Sequence, residues 1–171
     1  MITKQNFVRF FVISALGIFL HFAYDLSGQN PTVGLFSAVN ESSWEHLKLL
    51  FFPMLFVTLY ELFRNKEIPP NFLPARTAGI LGGMLFILVV FYTIWGVFGV
   101  LIDFINILIY FCAVIFALWL EHHILTKGCT FQLLTAIITL FALTISFFIF
   151  TSFPPKLGLF FDLSLHPKTL S

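Results

Sequence analysis

The stretch Thr77–Trp95 reads TAGILGGMLFILVVFYTIW; GVFGV follows at 96–100, then LIDFINILIYFCAVIFALWL over Leu101–Leu120. Across all these residues there is one charge, Asp103. About 20 apolar residues in a helix match the hydrocarbon thickness of a bilayer. Two such runs separated by five residues containing Gly96 and Gly99 therefore predict two membrane-spanning helices joined by a tight hairpin.

Further runs of the same kind lie at 7–24, 44–63 and 131–151, which makes five spans with those at 77–95 and 101–120. The composition agrees. Of the 171 residues 59% are hydrophobic, 19% aromatic and 10% charged, and the mean hydropathy is +0.99. Soluble domains carry about 25% charged residues, so a soluble globular domain and a disordered chain are excluded. A net charge of +1 leaves no polycationic surface, which excludes a nucleic-acid binder. The fold class is thus all-α, a polytopic transmembrane helix bundle. It forms one integral membrane domain over 1–171, with an interfacial tail at 152–171 and the lipid bilayer as its partner. Pro53 predicts a kink in the second span. The 25 Phe fill lipid-facing and interhelical space. Cys112 and Cys129 have no metal-type spacing and sit at different depths, a poor disulfide pair.

Basic residues set the orientation. Lys4, Arg9, Arg64, Lys66, Arg76 and Lys127 fall on one side, and Lys48, Lys156 and Lys168 on the other. Cytoplasmic loops are enriched in Lys and Arg. The N-terminus is therefore expected in the cytoplasm and the C-terminus outside it, in a bacterial plasma membrane. Small and polar stripes predict the helix–helix faces: Ser14 and Gly17, the Gly79/Gly83 pair, and Asn106, Tyr110, Ala113 and Ala117. Glu61, Glu67 and Glu121-His122-His123 read as solvated boundary residues.

Polar groups crowd the other end. His21 and Asp25 share a helix face, and Glu41, Glu45 and Lys48 share another, with His46 about 100° round. Asp103 opens the fourth span. Charged groups near a membrane interior turn toward the bundle, a partner or water. His21, Asp25, Glu41, Glu45, His46 and Asp103 therefore form a candidate ligand or metal cluster, and His with carboxylate suits a divalent ion such as Zn²⁺. A structural reading competes with it. Ser42 and Glu45 fit a capping box, in which Ser42 caps the helix and Glu45 reaches back to the Ser42 N–H. Trp44 would be an interfacial anchor, and Lys48 would pair with Glu45 or snorkel to the headgroups. The capping box leaves Glu41 and His46 without a structural task.

The run Asn40-Glu41-Ser42-Ser43-Trp44-Glu45-His46-Leu47-Lys48 resembles the Asn-Glu-Ser-x-Trp-Glu-His-Leu-Lys signature of an uncharacterised family of small bacterial multi-pass membrane proteins, a domain of unknown function. His21–Asn30 and the run at 154–162 are similar to the same family, although Leu163 stands where the pattern has Pro. The resemblance implies the membrane class and no activity. Three functions remain open: a non-catalytic scaffold or accessory protein, a membrane-embedded metal-dependent hydrolase or transferase, and a transporter or binding subunit for a cation or small polar solute. Whether the chain is an enzyme stays undecided, since HExxH and GxSxG are both missing. Five short helices are few for a monomeric transporter, so transport would call for a homo-oligomer or a membrane partner protein.

Overall fold

A computed structural model describes residues 4–65, 67–99, 103–128 and 132–162. Among them every regular element is helical. The order is α1 (Lys4–Leu26), the one-turn α2 (Pro31–Gly34), α3 (Ser43–Arg64), α4 (Phe72–Phe98), α5 (Asp103–Lys127) and α6 (Leu133–Ser152), then a 3₁₀ turn at Gly158–Phe160. Five helices are long and apolar enough to cross a membrane. The chain is an all-helical bundle with five candidate spans.

In lipid no hydrophobic force drives one apolar helix against another, so the polar helix goes inside. α3 is the least apolar of the five and the most enclosed; α6 is the most apolar and one of the two least enclosed. α3 touches α1, α4, α6 and the 3₁₀ turn. Leu47, Leu50, Phe51, Phe52 and Met54 of α3 are almost wholly buried.

The glycine stripe on α4 allows its close approach to α5. A Cβ at Gly79 would lie 2.7 Å from the Ala117 carbonyl oxygen, and one at Gly83 would lie 3.0 Å from the Ala117 Cβ. Neither backbone could stay where it is with a larger residue at Gly79.

α3 runs unbroken through Pro53. Proline has no N–H, so the Leu49 carbonyl loses its intrahelical donor. The Tyr110 hydroxyl of α5 stands 3.2 Å from that carbonyl and 3.1 Å from the Ile13 carbonyl of α1. A hydroxyl has one proton, so Tyr110 serves one carbonyl at a time and ties three helices together. Gly17 makes room for it, because a Cβ there would overlap the Tyr110 hydroxyl.

At one end of the bundle the expectation of solvated carboxylates holds for Glu67, which is exposed, and fails for Glu61 and Glu121. Glu121 and Arg76 are almost completely buried. Arg76 Nη2 donates to Glu61 at 2.8 Å and to Glu121 at 3.1 Å. Arg76 Nε lies 2.8 Å from the other Glu121 oxygen, close enough to pair but poorly aligned for a hydrogen bond. Arg9 Nε donates to Glu61 at 2.7 Å, and Arg9 Nη1 lies 3.4 Å from Glu121. Two arginines and two glutamates from α1, α3, α4 and α5 thus cancel one another. The apolar run alone starts the span near 77, with Arg76 in the loop before it. α4 begins at Phe72 instead, and Arg76 joins it one turn in.

Candidate metal centre

The polar cluster at the opposite end is built from the turn after α1, the α2 loop and the first turns of α3. Gly28 and Gln29 both take positive φ, at 70° and 61°, and stop α1. Asn30 then caps α2, its Oδ1 accepting the Thr32 N–H at 2.9 Å, with Pro31 at the first helical position. Ser42 caps α3, with Oγ accepting the Glu45 N–H at 3.3 Å. The reciprocal half of the box does not form. The Ser42 N–H goes to Asn40 Oδ1 at 2.9 Å, while the Glu45 carboxylate reaches past it to the Val39 N–H at 3.0 Å.

Lys48 explains the detour. Its side chain is fully buried, and Nζ donates to Glu45 at 2.6 Å, to the Gly34 carbonyl at 2.9 Å and to the Ser37 carbonyl at 3.1 Å. The other Glu45 oxygen lies 3.3 Å from the Thr151 hydroxyl of α6, whose single proton has a shorter acceptor in the Phe147 carbonyl at 2.7 Å. A buried charge must be paired and hydrogen-bonded to be tolerated. Here Lys48 uses three acceptors, and Glu45 takes the Lys48 ammonium and the Val39 N–H, so this pair staples the 31–42 loop onto α3. Lys48 does not snorkel, and Glu45 is not among the groups whose ligand atoms converge with the histidines. The Trp44 ring packs against Phe147, Phe150 and Phe160, with centroids 4.7, 5.5 and 5.0 Å away. The Phe160 contact folds the segment after α6 over the start of α3.

With Ser42, Glu45 and Lys48 committed to the loop, three groups converge. One ligand atom from each of His21, Glu41 and His46 lies within 4.8 Å of the others. The two imidazole centroids are 5.4 Å apart, and His46 Nε2 is 3.3 Å from Glu41 Oε2. His46 Nδ1 lies 2.9 Å from the Ser42 carbonyl. A carbonyl only accepts, so Nδ1 carries the proton and Nε2 is left to face Glu41. As an imidazolium, His46 donates from both nitrogens. Once Nε2 loses its proton, it turns a lone pair into the same gap. That hydrogen bond from His46 holds the Glu41 carboxyl below the usual glutamate range, against the opposing effect of partial burial. His21 Nδ1 is buried and has no hydrogen-bond partner among the described residues.

Asp25, on the same face as His21, is exposed and not part of the close group. Asp103 begins α5, but its side chain lies outside the described residues. The six-residue expectation therefore narrows among the described residues to His21, Glu41 and His46. The buried Arg9/Glu61/Arg76/Glu121 set was missed. One signal pointed to it: Glu61 and Arg76 both recur at helical spacing from apolar span residues, so each could face the bundle.

A family model matches residues 2–166 under the description "Family of unknown function (DUF6512)". The chain belongs to that family. The match takes in both polar clusters and all five candidate spans, and agrees with the expectation of an uncharacterised family. No curated protein and no solved structure matches the chain. DUF6512 brings no activity with it, so function rests on the chemistry of the residues.

Proposed function

We propose that this DUF6512 protein binds one divalent transition ion, Zn²⁺ first, through His21, Glu41 and His46 at the extracytoplasmic boundary of a bacterial plasma membrane. The convergence of three ligand atoms within 4.8 Å carries the reading. Around a tetrahedral Zn²⁺ with bonds of about 2.0–2.1 Å, ligand atoms stand about 3.4 Å apart. The His46–Glu41 spacing already has that value, and His21 has only to close in. The Ser42 carbonyl behind His46 is the outer partner that fixes a metal-binding tautomer.

A His₂Glu set fills three positions and leaves a fourth for water or substrate, as in metal sites that activate water near neutral pH. This supports a metal-dependent hydrolase or transferase. The basic residues at the far end support an N-terminus in the cytoplasm. A scaffold without metal is the second reading, favoured by the structural use of Ser42, Glu45 and Lys48.

The test is metal content of the detergent-purified protein after dialysis with Zn²⁺, measured by mass spectrometry of the elements. Wild type should hold about one Zn²⁺ per chain, and His21→Ala, Glu41→Gln and His46→Ala should each lose it. Wild type holding no more than the variants would leave the scaffold reading.

A further inference from the structure

His21 sits on the seam between the buried and the exposed arcs of α1. At about 100° per residue, Gly17 and Leu20 lie about 40° and 100° to one side of it, and both are buried. Ile18 and Phe22 lie about 60° and 100° to the other side, and they are 46% and 53% exposed. The Phe22 ring stands T-shaped to the imidazole, with 4.8 Å between centroids. The exposed arc continues through Ala15 and Phe11. An apolar stripe therefore begins beside the His21 ring and runs toward the middle of the span. An exposed apolar face is ordinary for a membrane helix. A histidine from a convergent ligand set on the edge of that face is not.

Depth adds a second observation. α1 has 23 residues, about 34 Å at the helical rise, against a hydrocarbon core of about 30 Å. Centred on the core, α1 would project about 2 Å at each end. His21 lies five residues before the last residue of α1, about 7.5 Å from that end, and so about 5 Å inside the hydrocarbon boundary. The other side of the cluster is wet. The Glu41 side chain is 52% exposed, and Asp25, one turn further out along α1, is exposed. A soluble solute would reach the ligand set from Glu41 and gain nothing from Ile18 or Phe22. An amphiphile uses both sides: its head takes the open position on the ion while its chain stays in apolar surroundings.

This rests on the metal reading above. We infer that the His21/Glu41/His46 centre takes a membrane amphiphile as its substrate class, with an oxygen ligand in the head, such as a carboxylate, an ester or a phosphoester. The head meets the ion at the boundary, and the chain passes Ile18 and Phe22 into the outer leaflet along α1.

The experiment uses the full chain in nanodiscs of one phospholipid composition, loaded with Co²⁺, whose visible absorption reports its ligands where d¹⁰ Zn²⁺ is silent. The probes are octanohydroxamate and dodecanohydroxamate, which bind such ions through two oxygens. Each affinity is referred to the probe's concentration in the bilayer. With the chain remaining in lipid, the two affinities should agree within about threefold, less than one methylene is worth. A head that reaches the ion only from water must draw its chain out of the bilayer. The four extra methylenes would then cost dodecanohydroxamate about 200-fold. Ile18→Trp fills the arc beside His21. It should weaken dodecanohydroxamate at least about tenfold and leave water-borne acetohydroxamate unchanged. An unchanged cobalt band in this variant establishes that the ion site is intact. The 200-fold loss, a band that no hydroxamate moves, or a variant that binds both probes like wild type or loses both equally, overturns the inference and leaves the metal reading standing. A wild type with no cobalt band removes the metal reading and this inference with it.

Discussion

Neutralising Glu121 tests whether the four-charge set is a structural keystone. Glu121→Gln keeps the shape and removes one negative charge, leaving two arginines against Glu61. Arg76 is fully buried and Glu121 is 1% exposed, so water offers little compensation. At an effective dielectric of about 20 and about 4 Å between charge centres, one pair is worth about 4 kcal/mol. Removing one partner of a buried pair costs about 3–5 kcal/mol in measured cases. The two routes agree, so a loss of about 3–5 kcal/mol is expected, read from reversible SDS titration in mixed micelles. Arg76→Gln should cost a similar amount. The double variant leaves the Arg9–Glu61 pair at 2.7 Å intact and balanced, so it should cost much less than the two singles together. A coupling above about 2 kcal/mol is expected in the double-mutant cycle. Additivity within about 0.5 kcal/mol, or a loss below about 1 kcal/mol for Glu121→Gln, would mean that Glu121 is solvated and that the reasoning is wrong.

Tyr110→Phe removes the donor that serves Leu49 above Pro53 and should destabilise by about 1–3 kcal/mol in the same titration; a silent variant would show that water fills the role. Gly79→Leu should separate α4 from α5, because its side chain would start 2.7 Å from a backbone oxygen, and loss of the cooperative unfolding transition is the readout. At Zn²⁺ about 100-fold above its dissociation constant the wild type should gain about 2.7 kcal/mol, and Glu41→Gln should gain nothing; equal gains in both would remove Glu41 from the site. The fifth prediction concerns pH in the metal-free protein. The Glu41 carboxyl is held below its ordinary value by His46, so its contribution is present above that ordinary value, about 4.3, and is lost as pH falls through the lowered one. The stability gap between wild type and Glu41→Gln should therefore close as pH falls below the ordinary glutamate range and through the lowered Glu41 value; a gap that widens on acidification would reverse the assigned sign.

The sequence by itself determined the membrane class and the five spans, because a bilayer demands about 20 apolar residues per crossing and the chain has five such runs. It also determined the helix start at Ser42, a local matter of a hydroxyl and the N–H three residues on. The tertiary structure decided which polar residues are free for chemistry. Glu41 and Glu45 are four residues apart and look equivalent along one helix face. Only the fold shows that Lys48 and Val39 occupy Glu45, whereas Glu41 lies before the helix and meets His46 and His21. Likewise, Glu61, Arg76 and Glu121 sit near the ends of three separate spans and read as wet boundary groups. They form a buried neutral set because α3, α4 and α5 bring their ends together with Arg9 of α1. Spacing along the chain reports which residues share one helix face. Pairing between helices depends on how those faces rotate and how closely they pack, and glycines such as Gly17 and Gly79 fix that only once the partner helix is known.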